Sequence, residues 1–166
     1  MRRLGSWMFN AATRTLHTAF PGLASPDDEW ARLVLEPAEF DLFMALPAAE
    51  RAHAVKVGRC AQSRGHEVPQ EVLKAALLHD VGKAGSSSHV VHRVIAHLLP
   101  APEVPAQPRL RGLAGTRQAK RHHAAYGALK VLEITGDTRV AWLIRHHHQP
   151  GDDAWAQLIR ACDEAT

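Results

Sequence analysis

Ala76-Leu77-Leu78-His79-Asp80-Val81-Gly82-Lys83 decides how this chain reads. Upstream of it, Pro69 opens a helix that carries Val72, Ala75, Ala76 and His79 at offsets of three and four, so the histidine projects from an apolar face. The pattern predicts a helix that runs to Gly82 or Gly85. Consecutive helical residues point about 100° apart, so His79 and Asp80 reach one bound cation only if it sits beyond the helix surface between them. Imidazole nitrogen and carboxylate oxygen together suit a divalent cation held for hydrolysis with one position left to water.

Helical signals continue in both directions, and no stretch shows the apolar/polar alternation of a half-buried strand. The chain is predicted to be all-α. Residues 3–19 read as an amphipathic helix through Leu4, Trp7, Met8, Ala11 and Leu16, ended by Pro21-Gly22. Ser25-Pro26-Asp27-Asp28 reads as a helix start with Ser25 accepting a backbone N–H, followed by a short helix to Leu35. Pro37 opens another, with Phe40, Phe43 and Met44 on one side. A longer helix runs from Pro47 to Arg64 and stops at Gly65. Residues 89–99 are read as a helix, and Pro100, Pro102, Pro105 and Pro108 then break regular structure. The basic stretch as far as Arg121 is expected to be the most mobile part of the chain. Three last helices are expected at 123–134, 138–147 and 153–163, with Gly136 and Asp137 as caps between the first two. The expected organisation is an N-terminal helical cap over residues 1–46 packed on a domain formed by residues 47–166.

A chain of 166 residues that is 46% hydrophobic and 22% charged has the balance of one soluble globular unit. No apolar run approaches the roughly 18 residues of a membrane span, and the amino terminus lacks a signal-peptide pattern, so the expected location is cytoplasmic. Cys60 and Cys162 fit no zinc spacing or disulfide framework and read as buried thiols of a reduced compartment. A formal charge of +3 suits an anionic small molecule without implying nucleic acid. The composition stands out in its 12 histidines, some in the runs His122-His123 and His146-His147-His148. His53 and His79 lie on apolar flanks, and the two runs sit at the ends of later helices. Several imidazoles facing one core would leave unpaired nitrogens at about 1–3 kcal/mol each unless something binds them. A metal is the economical partner.

The segment 76–83 resembles the signature of the HD superfamily of metal-dependent phosphohydrolases, and His53, His79-Asp80 and Asp163 reproduce the family's order of His, His-Asp and Asp. The likeness covers residues 47–163. His123-Ala124-Ala125-Tyr126-Gly127 and Ile144-Arg145-His146-His147-His148-Gln149 are similar to segments of the two-metal branch that includes the HD-GYP phosphodiesterases. That resemblance implies one ion on His53, His79, Asp80 and Asp163, and a second on His123, His147 and His148 with Asp80 bridging. The register within 146–148 stays open by one position. After His148 the chain reads Gln149-Pro150-Gly151-Asp152, without that branch's Gly-Tyr-Pro segment, so a cyclic dinucleotide substrate is not supported.

The resemblance also implies an HD-type helical bundle that uses two divalent transition ions (Fe, Mn, Zn, Ni or Co) to hydrolyse a phosphorylated small molecule, with nucleotides among the candidates. Asp80 and Lys83 then carry the chemistry. Lys83 lies where the family meets the phosphate, and Lys120, Arg121 and Arg145 flank the histidines as candidate substrate contacts. His122 or His146 could relay a proton. Two alternatives stand beside this reading: a di-iron HD-type oxygenase, and a non-catalytic nucleotide-binding module.

Overall fold

The computed structural model describes residues 25–65, 67–84, 106–107 and 110–166. The helices expected at 3–19 and 89–99 lie outside them. The described residues form seven α-helices and one 3-10 turn, with no strand: α1 (Asp28–Val34), α2 (Pro37–Met44), α3 (Ala48–Arg64), α4 (Gln70–Leu78), the 3-10 turn (Val81–Lys83), α5 (Gly112–Thr135), α6 (Thr138–His146) and α7 (Ala154–Ala165). No described helix is long and apolar enough to cross a membrane.

Helix α4 is the axis of the molecule. It touches α1, α2, α3, α6 and α7, and its residues Val72, Leu73, Ala75, Ala76, Leu77 and Leu78 are all buried. It is covered on nearly every side rather than along one stripe, as a central helix must be. Burying each leucine contributes about 1.5–3 kcal/mol. The one cation of its middle, Lys74, is accommodated by buried Glu39 of α2, whose Oε2 lies 3.0 Å from Nζ.

Helices α1 and α2 share this core through Trp30, Ala31, Phe40 and Phe43. The Trp30 ring fits against Gly58 of α3, where a Cβ would lie 2.7 Å from the indole edge. Arg51 of α3 reaches back to Asp28 with two hydrogen bonds, at 3.0 and 3.2 Å, and to the Leu46 carbonyl at 2.9 Å.

Local chemistry corrects several expected boundaries. The cap of α1 is Asp27, not Ser25: its Oδ1 accepts from Trp30 N at 3.0 Å. Helix α4 stops at Leu78, short of Gly82, and Asp80 takes φ −102°, ψ 3°, the bridge region common at active sites. His79 still has helical dihedrals, and the backbone leaves the helix at Asp80.

Helix α5 begins at Gly112, well before His123, so residues 112–121 are helical rather than loop. Its buried positions there are Gly115, Thr116, Gln118 and Ala119. Small and polar residues face inward because Leu110 packs close: a Cβ on Gly115 would lie 2.2 Å from the Leu110 carbonyl oxygen. A face without large apolar residues has no hydrophobic period to read. Gly136 at φ 69° and Asp137, accepting from Val140 N at 2.9 Å, do form the α5–α6 corner.

The cysteines are not free thiols. Cys60 and Cys162 form a disulfide across 102 residues, with Cα atoms 5.7 Å apart. Such a pair has no local spacing signal, since only the packing of α7 on α3 brings the two together. The support that free thiols lent to a reduced compartment is thereby withdrawn.

Candidate metal centre

Five elements converge on one buried space. His53 comes from the middle of α3, His79 and Asp80 from the turn after α4, His123 from the middle of α5, and His147 and His148 from the turn after α6. Asp163 joins from the last turns of α7. His53, His79, Asp80, His123 and His147 are buried. Neighbouring imidazole rings lie 5.4 Å apart for His53 and His79, 5.2 Å for His79 and His147, 5.5 Å for His123 and His147, and 3.9 Å for His147 and His148.

Backbone carbonyls orient three of these rings. The Nδ1 atoms lie 2.8 Å from the Ala76 oxygen for His79, 3.1 Å from the Ala119 and Lys120 oxygens for His123, and 2.7 Å from the Ile144 oxygen for His147. A carbonyl only accepts, so each Nδ1 carries the proton and, in the neutral ring, Nε2 presents a lone pair. Second partners of this kind are what metal-ligating histidines use. Nε2 of His147 is buried without a hydrogen-bond partner, a costly arrangement for a polar atom that a bound cation would resolve, whereas Nε2 of His79, also without a hydrogen bond, faces the carboxylates of Asp80 and Asp163.

The candidate ligands divide into two groups, His53 with His79 and Asp80, and His123 with His147 and His148; within each, the ligand atoms lie within 4.8 Å of one another. Asp80 stands between them. Its Oδ2 is 3.4 Å from His79 Nε2 and its Oδ1 is 3.4 Å from His123 Nε2. Asp163 Oδ1 lies 2.9 Å from His53 Nε2 and 3.7 Å from His79 Nε2, on the side of the first group. His148 Nε2 is 2.9 Å from His123 Nε2. With His123 Nδ1 already a donor, its Nε2 accepts here and His148 donates.

This geometry meets an independent finding. A family model described as HD domain matches residues 51–165. The chain belongs to the HD-domain family. No curated protein and no solved structure matches it. The HD domain is an all-α fold, in agreement with the helices described, and the family includes many metal-dependent hydrolases. HD domains bind divalent metals, and the two His/Asp groups are compatible with such a site.

Around this HD centre the remaining candidates take distinct places. Lys83 Nζ lies 2.6 Å from Asp80 Oδ2 and 4.0 Å from Glu50 Oε2. Glu50 escaped the sequence reading, although its position three residues before His53 on α3 gives the same helical face. Lys120 and Arg145 have exposed side chains, and Lys120 contributes its carbonyl to His123. The triple histidine run divides by contact: His146 stacks on Trp142 with centroids 4.2 Å apart and bonds the Trp142 carbonyl, whereas His147 and His148 join His123. His122 tilts toward Tyr126, with centroids 5.9 Å apart.

Electrostatics separate the histidines. Burial pushes His123 down to about 4 and His147 down to about 3, so both rings are neutral near pH 7. Burial also acts against a charged His79, but Asp80 and then Asp163 outweigh it and lift the ring to about 9. Burial opposes the Asp80 charge, while Lys83 and His79 hold its carboxyl well below the ordinary range. Burial opposes the Lys83 ammonium too, and Asp80 and Glu50 more than offset it. At Asp163 the bond to His53 and the charge of His79 overcome burial and hold the carboxyl low.

A pH dependence of metal-free stability follows. His123 and His147 bind protons in the unfolded chain near 6.5 but resist them when folded, so stability falls as pH drops from 6.5 toward 4, each group steepening the slope by up to about 1.4 kcal/mol per pH unit. His79 acts oppositely: its contribution is complete below 6.5 and is lost as pH rises through about 9. Thermal unfolding in chelator is expected to show a maximum between these limits, and His147→Gln to flatten the acid limb. An unfolding temperature that is constant from pH 7 to 4.5 contradicts this charge assignment.

Proposed function

We propose that this HD-domain protein is a metal-dependent phosphohydrolase with a binuclear centre, acting on a phosphorylated small molecule of the nucleotide or simple phosphoester class. One observation carries the reading: His79, His123 and His147 are fixed by main-chain carbonyls with Nε2 turned into one buried space, where the two oxygens of Asp80 face different groups. His53, His79, Asp80 and Asp163 would hold one ion, and His123, His147 and His148 the other, with Asp80 shared. Divalent cations there would supply Lewis acidity and lower the pKa of water toward neutrality.

The chain's own contribution is placement and charge. Lys83 keeps its proton between Asp80 and Glu50 and is partly exposed beside the centre, so its ammonium can bind a phosphoryl oxygen and stabilise the charge that grows there. The buried rings exclude bulk water from the inner face, which strengthens that interaction. Neutral His123 and His147 need lose no proton to become ligands, whereas His79 must release one.

Metal analysis of freshly purified protein, followed by a phosphate-release screen over nucleotides and small phosphoesters with Mn, Fe, Co, Ni and Zn, tests the reading. Close to two ions per chain and phosphate release that a chelator abolishes are expected. Tight nucleotide binding without turnover in every metal would replace it with a binding module, and oxygen consumption strictly dependent on iron would replace it with an oxygenase.

A further inference from the structure

The disulfide joins the same two helices that the His53–Asp163 contact joins. Cys60 follows His53 by seven residues on α3, two helical turns and so the same face, and Cys162 immediately precedes Asp163 on α7. The buried residues of α7 are Ala156, Ile159 and Cys162. Asp163 therefore follows directly on the last deep anchor of its helix, and from there its Oδ1 reaches His53 Nε2 at 2.9 Å. Cys162 is fully buried, while Cys60 is partly buried at the edge of the core.

We propose that the Cys60–Cys162 disulfide is a positioning element for Asp163, and that its reduction by a thiol loosens the last turn of α7 and weakens the metal group to which Asp163 belongs. Exchange begins at the more accessible sulfur. A reductant thiolate attacks Cys60 Sγ, the S–S bond breaks, and the electron pair leaves on Cys162 Sγ, which takes a proton. A second thiol of the reductant then attacks the sulfur joined to Cys60, releasing the Cys60 thiol and an oxidised reductant disulfide. Two electrons pass from two reductant thiols to the protein. Oxidation by another disulfide reverses the sequence and restores the tether. The part of this inference that concerns metal rests on the reading of Asp163 as a ligand; the tether itself does not.

The test uses the full chain, purified without reductant, in oxidised form and after reduction by a dithiol that is then removed by anaerobic gel filtration. Alkylation under denaturing conditions should find no free thiol before reduction and two after it. In metal-free protein, amide exchange over residues 160–166 should rise by about ten-fold on reduction while that of α4 stays unchanged. In a Mn²⁺ titration one ion should weaken by about 10- to 100-fold, the range seen when a ligand loses its support, and the other should hold. Reoxidation should restore both properties.

Cys60→Ser should show the reduced behaviour from the start and ignore the reductant; if that variant does not fold, reversible reduction of the native chain carries the comparison alone. Two free thiols in the air-purified protein, or reduction that leaves exchange over 160–166 unchanged, overturns the proposal. Altered exchange with both ions equally tight overturns the link to Asp163. Failure of any metal to bind in either redox form overturns the metal assignment instead, and the thiol count and exchange still judge the tether.

Discussion

On the proposed binuclear reading, Asp80→Asn is expected to leave a folded protein that has lost turnover by about a hundred- to a thousand-fold, the scale on which loss of one preorganised electrostatic element acts, and that retains at most one tightly held ion. The two Asp80 oxygens address His79 on one side and His123 on the other, and the amide keeps their shape while removing the charge and one acceptor. On that reading, both metal groups would thereby lose their shared anion. Burial of His79 then acts without its main opposing charge, so the ring should titrate at lower pH, and the alkaline fall in metal-free stability near 9 should move with it. That second readout does not depend on catalysis. Lys83 keeps Glu50 at 4.0 Å, and the buried shell of Leu77, Leu78 and Ile144 is untouched, so the variant should fold. Circular dichroism, metal counting and phosphate release on one preparation decide the matter. Full activity with two bound ions would remove Asp80 from the centre.

The contrast between legible and illegible features follows from where their information lies. Periodicity in α4 and α6 is carried by large apolar residues and α3 shows an apolar flank of alanines and valines, while Pro37, Pro47, Pro69, Gly136 and Asp137 mark where helices α2 to α6 begin or end, so the all-α reading and most boundaries could be drawn from residue order. His53 and His79 were findable because each sits on such a face. The first ten residues of α5 were not, since their inward positions are Gly115, Thr116, Gln118 and Ala119 and their exposed ones are Ala114, Lys120 and Arg121. The end of α4 depends on the turn at Asp80, a backbone choice made by packing on α5 rather than by a nearby breaker. Glu50 shares a helical face with His53 in the sequence, but its role beside Lys83 follows only from the packing that brings them to 4.0 Å. The pairing of Cys60 with Cys162 requires α7 to lie on α3, a tertiary fact. The orientation of the rings comes from main-chain carbonyls, which side-chain identity does not encode.

The close approach of the 3-10 turn to α5 sets the second large effect. A Cβ at Gly82 would lie 1.9 Å from the His123 carbonyl oxygen and 2.7 Å from the Gly127 nitrogen, two atoms that the helical i, i+4 rule joins by a hydrogen bond. Both are backbone, so no side-chain rotation relieves the clash. Gly82→Ala must push the turn away from α5 and carry Asp80 and Lys83 from His123, at a cost of about 3 kcal/mol or more, which for a chain of this size lowers the unfolding temperature by about 6–12 °C. Metal binding should weaken in parallel, because Asp80 reaches both groups only from this position. Gly127→Ala is the informative partner. Its Cβ would meet Gly82 N and an Ile144 methyl at 3.2 Å, a contact that shifts of a few tenths of an ångström relieve, and alanine favours the helix by up to about 1 kcal/mol. The two substitutions face each other across one interface yet should differ several-fold in effect. Equal stability for both, with two ions still bound to Gly82→Ala, would show that the turn reaches its place by something other than this backbone contact.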